Sequence, residues 1–406
     1  MNKTFIHSVQ NGSSETVQIM VLNEENSLSY DAILAAGQSI CYSEIFEAAS
    51  LPVPYVASDS AFKRLHIQLR VGKSIYALYE YANQICCNSQ GIFNTNTPPL
   101  AGYSGQGAID LIIGDDGIPY GEVNAFIDST ELTSVSWILS QYALYGLKKG
   151  KLNQKSFVIT DWKDREQFDQ PACGLRGPIT AVSWVAGRYA IYALGNDNQI
   201  YEKCWLTNSW SNWAIYTRPD GVNLRHLSAV SWCLSQYAIH GVGDNGNLYG
   251  KTFNITTWKD WENMGRPASC RLKGPLTSVC WTPLRYGIYA LGDDGNVWMK
   301  WKGLFWSEWT DIGSPISPLK TLTSTSWLDR AYTIAGVAED GKLYARNYHY
   351  AWDKNWNDLG HPAECKLAGP VTAVSWCLGK YAFYAQGVNG VMYQLFEGKW
   401  SVVDGR

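Results

Sequence analysis

The sequence predicts an all-β protein, a six-bladed β-propeller built as three tandem blade pairs and preceded by a small β-sandwich-like domain. Three observations carry this. A short apolar strand ending in Ser-Trp returns six times, at Thr133–Trp137, Thr180–Trp184, Ser228–Trp232, Thr277–Trp281, Thr323–Trp327 and Thr372–Trp376, with Cys280 in place of the serine in the fourth copy. The tryptophans stand 47, 48, 49, 46 and 49 residues apart. Each unit then alternates with period two between turn residues, as in Tyr189–Leu194 and Gln199–Trp205, which reads as strand after strand. Four strands in about 45 residues make a propeller blade, because helical solenoids of that period would show apolar residues three and four apart. The Gly-His and Trp-Asp signature of WD40 blades does not recur.

Odd and even units differ in kind. Odd units carry Leu-Ser-Gln-Tyr or a relative and close on Pro171–Cys173, Pro267–Cys270 and Pro362–Cys365, whereas even units carry Arg188–Ala193, Arg285–Ala290 and Lys380–Ala385. The ring is therefore expected to have approximate threefold repetition, and any site on it to recur about three times.

In chain order, residues 1–105 contain strand-like runs at Glu15–Leu22, Phe62–Val71 and Ser74–Tyr81 and a short helix at Tyr42–Ala49. Short strands with polar turns favour a β-sandwich. All 19 tryptophans lie from Trp137 onward, which marks a boundary. Residues 106–126 are read as a linker or a partial blade, because Ile109–Gly117 resembles Tyr286–Gly295 of the fourth unit; the same hairpin could belong to a degenerate seventh blade or be the last strands of the N-terminal sandwich, and six full blades are favoured. The propeller occupies 127–406. Closure then needs either blade-to-blade packing alone or a strand lent by Gly121–Ile127.

A net charge of −3 and the lack of any Lys/Arg block argue against nucleic acid as a partner. No apolar run reaches the roughly 18 residues of a membrane span, and Met1–Met20 has no signal-peptide core, so synthesis in the cytosol is expected, with non-classical release as the route out. Ten cysteines in a chain this long read as free thiols. Adjacent Cys86 and Cys87 point to opposite faces of a strand and cannot share a metal. The hairpins Gly195–Asn198, Gly243–Gly246 and Gly292–Gly295 supply the positive φ of tight turns and lack the further oxygens of a calcium loop. No cofactor and no metal are expected.

Tryptophans in such a ring either pack between blades or stack on a ligand. The outer pairs Trp210/Trp213, Trp258/Trp261, Trp306/Trp309 and Trp352/Trp356 read as packing, and the Ser-Trp tryptophans reach a rim where blades meet. The succession Ala181–Trp184, Arg188–Tyr192, Gly195–Trp205 and Trp210–Trp213 resembles the blade of the PLL-type β-propeller lectins, over roughly residues 127–406. The resemblance implies multivalent, non-catalytic binding of fucosylated or related glycans in pockets between blades. It assigns the ligand contacts to the even blades: Trp184, Arg188, Tyr201 and Trp205; Trp281, Arg285, Trp298 and Trp301; Trp376 and Lys380. Those lectins are typically seven-bladed, and the odd blades here lack the aromatic third strand. Glycans or glycoproteins are thus the expected partners, with homo-oligomerisation left open. The rival readings are a protein-interaction scaffold and, less favoured, a propeller glycosidase, whose two carboxylates about 5 to 10 Å apart do not stand out among Glu202, Glu262, Glu308 and Asp293.

Overall fold

The computed structural model describes residues 5–403 apart from 23–27, 42–50, 57–65, 82–83, 98–99, 101–107, 115, 124–130, 149, 160, 164–165, 207, 364 and 389–390. The helix expected at Tyr42–Ala49 and the start of the Phe62–Val71 run lie outside the described residues. Among those described there is no helix, and so none long and apolar enough to cross a membrane. The chain forms two units, the first chiefly Met1–Ala125 and the second Phe126–Val388 with Met392–Val403.

The first unit packs two five-stranded sheets. One runs Pro119–Val123, Ala108–Ile113, Phe5–Asn11, Ser39–Cys41, with Leu51–Pro52 also on Phe5–Asn11; the other runs Leu28–Leu34, Val17–Leu22, His66–Val71, Ser74–Tyr81, Gln84–Asn88. Alternate residues of both, Ile6, Val9, Ile109 and Leu111 from one and Val17, Ile19, Ile67 and Leu69 from the other, share a single core. Residues 106–126, read above as a linker or partial blade, supply the hairpin Ala108–Ile113/Pro119–Val123. Ile109, Leu111 and Ile113 point inward, and Ala108–Ile113 pairs in parallel with Phe5–Asn11, so the apolar alternation is satisfied in this sheet and adds no seventh blade. Cys86 and Cys87 do face opposite sides, one packed with Tyr79 and Val56 and the other against the sandwich core.

The second unit is six separate sheets, each an antiparallel meander of contiguous chain. Blade 2 is typical, with Leu175–Val185, Arg188–Gly195, Ile200–Leu206 and an outer strand Ala214–Tyr216. The outer strand is split in blades 1, 3 and 5, for example Thr257–Trp258 and Glu262–Gly265, and single in blades 2, 4 and 6. The first strand runs eleven residues in each even blade. Three blade pairs are therefore visible in the backbone.

Ser-Trp recurs because each of its two residues does a fixed job. The serine holds its own turn: Oγ of Ser136, Ser183, Ser231, Ser326 and Ser375 donates to the carbonyl of the first residue of the next strand at 3.0–3.1 Å, and Cys280 Sγ instead reaches the Thr282 carbonyl at 3.2 Å. The tryptophan couples blades. Its ring lies face-on against a tyrosine of the following blade in all six copies: Trp137 on Tyr189, Trp184 on Tyr237, Trp232 on Tyr286, Trp281 on Tyr332, Trp327 on Tyr381 and Trp376 on Tyr142, with centroids 4.7–5.3 Å apart. Its carbonyl accepts the N–H of a turn residue of that same blade, respectively Gly187, Ser235, Leu284, Arg330, Gly379 and Ser140, at 2.8–3.3 Å. All six turn residues have positive φ, between 55° and 74°, which aims the N–H backward at the neighbour.

The first outer tryptophan of five blades then meets the same tyrosine edge-on: Trp162, Trp210, Trp258, Trp306 and Trp352, at 5.2–5.5 Å. Six apolar cores result, one in each groove between neighbouring blades. The last groove closes like the rest, by Trp376 on Tyr142, a 2.7 Å bond between the hydroxyls of Tyr142 and Tyr384, and Ser134 Oγ to Thr372 Oγ1 at 2.8 Å. Packing alone closes the ring among the described residues, and Gly121–Val123 is engaged in the sandwich instead.

Trp376→Ala should therefore lower the unfolding free energy by about 3 kcal/mol, the low end for truncating a packed aromatic because the ring is only half-buried. Trp232→Ala should cost a similar amount. Denaturant titration of both variants measures this; a loss confined to Trp232→Ala would mean that the first and last blades are held by something else.

Candidate functional site

The residues expected to bind ligand fall into three places. Trp184, Trp281 and Trp376 occupy the same position as Trp137, Trp232 and Trp327, half-buried on the next blade's tyrosine. Four of these six rings, Trp232, Trp281, Trp327 and Trp376, line a depression of about 680 Å³ at the mouth of the central channel. Blades 1 and 3 differ there from the even blades in one hydrogen bond, and blade 5, with Ala331 in that place, lacks it too. Gln141 and Gln236 open the second strand of blades 1 and 3 and accept from the indoles of Trp137 and Trp232 at 3.2 and 3.1 Å. In the even blades that residue is Arg188, Arg285 or Lys380, which can only donate. The indole N–H of Trp184, Trp281 and Trp376 has no partner among the described residues. Arg188 and Arg285 are exposed. Lys380 is paired with Glu397 and lies 5.4 Å over Phe396.

The third-strand aromatics do not gather around one rim tryptophan. Tyr201 and Trp205 face blade 1, in the core that holds Trp137 and Tyr189, while Trp184 faces blade 3. Tyr201 donates to Asp197 Oδ2 at 2.7 Å. Trp298 and Trp301 are three residues apart and so lie on opposite faces of their strand. Trp298 faces blade 3 and donates to Asp294, whereas Trp301 stands across from Gly287, where an added Cβ would come within 2.9 Å of Trp281. Trp281 and Trp301 thus share the groove between blades 4 and 5.

The outer ends of the grooves carry a second repeated arrangement. The fourth residue of the third-strand pattern is basic in five blades, and each places its charge over an outer tryptophan: Lys155 on Trp162, Lys203 on Trp213, Lys251 on Trp261, Lys300 on Trp309 and Arg346 on Trp352, at 5.3–5.9 Å. Such cation–π contacts are worth about 0.5–2 kcal/mol, more as water is excluded. In three grooves an outer tryptophan also ties the blades together, with the indoles of Trp213, Trp261 and Trp400, the one outer tryptophan of blade 6, donating to the carbonyls of Asp169, Thr217 and Leu359 at 2.9, 2.6 and 3.2 Å. Lys203 adds an ion pair to Asp169 at 2.7 Å, which fills its groove.

The groove between blades 4 and 5 departs from this. The Arg346 guanidinium takes the Ile312 carbonyl and also donates to the Asp353 carbonyl at 3.0 Å; Trp356 Nε1 is buried with no partner among the described residues, as is Trp309 Nε1 between blades 3 and 4. A pocket of about 420 Å³ opens there between Gly313–Ile316 on blade 4 and Tyr344, Arg346, Asn355, Trp356 and Asp358 on blade 5. Lys342 donates to Asp358 at 2.7 Å, and this bond holds the Asp358 carboxyl below its usual range, so it is a charged acceptor at neutral pH. The pocket combines an indole, a guanidinium, a carboxylate and an amide. Sequence reasoning missed Arg346, Trp356 and Asp358 because it read the outer tryptophans as packing and the odd blades as altered. The signal was the series Lys155, Lys203, Lys251, Lys300, Arg346, in which one member alone carries a planar fork of donors.

One carboxylate is buried in a groove without a cation. Glu202, between blades 2 and 3, accepts from the hydroxyls of Tyr192 and Tyr216, the latter at 2.9 Å. Burial and then the Glu202 charge push the Cys204 thiol and the Tyr216 hydroxyl upward. Its neighbours are tyrosines and a thiol rather than the second acid that a glycosidase uses. No cluster of metal-ligating side chains occurs among the described residues.

No protein-family model matches the sequence, and no curated protein does. Solved structures do. AofleA from Arthrobotrys oligospora is 14% identical with a TM-score of 0.53, over 68% of this chain and 86% of that one. The SapL1 lectin, solved in complex with α-methyl fucoside, is 16% identical with a TM-score of 0.54, over 68% of this chain and 96% of that one. The Aleuria aurantia fungal lectin, described as a six-bladed β-propeller with a novel fucose recognition mode, is 15% identical with a TM-score of 0.53 and the same coverage of 68% and 96%. At these identities the likeness is one of fold. The resemblance to fucose-binding β-propeller lectins read from the sequence holds at that level, with six blades in place of the seven typical of the PLL type.

The groove between blades 3 and 4 holds a buried titratable group. Tyr145, Tyr192, Tyr289 and Tyr384 each reach the next blade's tyrosine hydroxyl, at 3.1, 3.5, 2.8 and 2.7 Å. His240 holds this place in blade 3, its Nδ1 buried and unpartnered among the described residues, and burial pushes its pKa down to about 3. A lowered histidine favours the unfolded state under acid, since the unfolded chain binds the proton from about pH 6.5 downward and the folded one only near pH 3. Stability should fall through that window by up to about 1.4 kcal/mol per pH unit. His240→Tyr should flatten the acid limb of a denaturation-against-pH profile between pH 6 and about 4; an unchanged slope would mean that other groups set it.

Proposed function

We propose that this protein is a lectin, binding glycans without catalysis, and that its best-formed sugar site is the outer pocket between blades 4 and 5. The observation that carries this is the grouping of Trp356, Arg346 and Asp358 around an open groove. Sugar hydroxyls need both donors and a charged acceptor, and an apolar ring face covers the C–H side of a pyranose. The likeness in fold to lectins solved with fucosides makes fucosylated glycans the first ligands to try. Glycoproteins are then the natural partners.

Weak sites gain from number, since linked binding events raise avidity by orders of magnitude. The rim tryptophans Trp184, Trp281 and Trp376, beside Arg188, Arg285 and Lys380, stay committed to coupling the blades, and the Lys–Trp pairs of the other outer grooves are the further places for sugar. They are geometrically less complete, because the outer grooves of blades 2 and 3 are bridged by Trp213 and Trp261.

Arg346→Ala should weaken binding of α-methyl fucoside or of the best glycan on an array at least tenfold. Arg346→Lys should fall between, because an ammonium cannot reproduce the fork. Calorimetric titration together with the unfolding midpoint separates lost contacts from lost fold. Undiminished binding by Arg346→Ala, with loss in Arg188→Ala and Arg285→Ala, would move the sites to the rim. No carbohydrate binding, with a protein partner recovered instead, would favour the scaffold reading, and hydrolysis of the glycan would make it an enzyme.

A further inference from the structure

The rim that carries the Ser-Trp turns is unlike the rest of the propeller surface. At the turn between first and second strands, Leu139, Leu234, Leu284 and Leu378 are 58–78% exposed, and Leu139 and Leu378 line the channel mouth. Just outside them, at the turn between third strand and outer strand, Ile159 and Ile255 are 67% and 60% exposed. The two sets are one surface, since the N–H of Ile159 and of Ile255 donates to the carbonyls of Ser140 and Ser235 in the inner turns. Phe305 and Tyr350 extend it in blades 4 and 5. By contrast the opposite hairpins of blades 2–5 are polar, built from Asn, Asp and Gly with Glu339 in blade 5.

Two features separate this crown from scattered surface leucines. Ile159, Ile255 and Leu284 have φ of 62°, 60° and 66°, a conformation that glycine adopts freely and branched residues do not. Gly187 and Gly379 stand where Leu284 does, so the turn itself needs no side chain. Large apolar groups are thus held at strained positions where folding gains little from them. Cations are interspersed: the inner turns carry Arg188, Arg285, Arg330 and Lys380 against one carboxylate, Asp329. Arg330 lies 3.7 Å from Asp329 and Lys380 is paired with Glu397, but Arg188 and Arg285 have no ion pair among the described residues. Beside them the indole N–H groups of Trp184 and Trp281 are unpartnered among the described residues.

From these observations we propose that the Ser-Trp rim docks onto an anionic lipid surface. Exposed aliphatic tips, indoles and uncompensated cations on one face are what a negatively charged headgroup layer over hydrocarbon attracts. A second copy of the chain fits less well, because rim-to-rim contact would set the same cations against each other.

The test is co-sedimentation of the full chain with sugar-free vesicles of phosphatidylserine and phosphatidylcholine, and of phosphatidylcholine alone. Binding is expected to the first only, and to weaken as salt is raised. A variant with Leu139→Ser, Leu234→Ser, Leu378→Ser, Ile159→Gly and Ile255→Gly should keep its unfolding midpoint and bind at least tenfold less. Arg188→Ser with Arg285→Ser should lower binding and flatten the salt dependence. Failure of the wild-type chain to sediment, or equal binding by the five-site variant, overturns the proposal. So does light scattering that shows a dimer which the five-site variant dissolves, since the crown would then be a self-interface.

Discussion

Everything in the propeller depends on what one tryptophan does to the next blade. A blade is a small antiparallel sheet with two apolar faces, and alone it could not hide both. The Ser-Trp residue joins neighbours through two different forces at one point, a face-on stack on a tyrosine and a backbone hydrogen bond from the turn beside it. The stack is worth about 1 kcal/mol beyond the area it buries, and the backbone bond fixes where along the groove it forms. Six such couplings, the last joining blade 6 to blade 1, make a ring that needs no strand borrowed from elsewhere among the described residues.

That constraint sets where variation is tolerated. The axial ends of the grooves are committed to the coupling, so all six share the stack and the backbone bond and differ only in the residue beside the indole. The outer ends are less constrained, and there the grooves diverge: an ion pair with Asp169 in one, an indole bridge to Thr217 in another, and an open pocket beside Trp356 in a third. In the open groove the basic side chain is Arg346, whose planar fork binds the Ile312 and Asp353 carbonyls. Rigid coupling at one end and free composition at the other let a repeat keep its fold while one groove differs from the rest.

The blade count, the pairing of blades and the hairpin turns were legible because they rest on period and turn chemistry, both local properties. Six Ser-Trp copies were visible, but not that the serine closes the turn while the tryptophan leaves its own blade. Partners across a groove stand some 50 residues away, and no spacing marks them. The same blindness affected the candidate site. Trp184, Tyr201 and Trp205 are close in sequence, yet strand alternation sends Trp184 toward blade 3 and the other two toward blade 1. Residues 106–126 stayed ambiguous for a related reason, since the pattern of a blade hairpin is also that of any hairpin, and Ile109, Leu111 and Ile113 serve the sandwich.

The account assigns the Ser-Trp rings to coupling and sugar recognition to the outer groove of blades 4 and 5. Indole N–H resonances, each assigned by single Trp→Phe replacement and followed by NMR as α-methyl fucoside is added, test this division directly. The signals of Trp352 and Trp356 should move with ligand while those of Trp184, Trp281 and Trp376 stay in place. Movement of the rim indoles with Trp352 and Trp356 unmoved would contradict it.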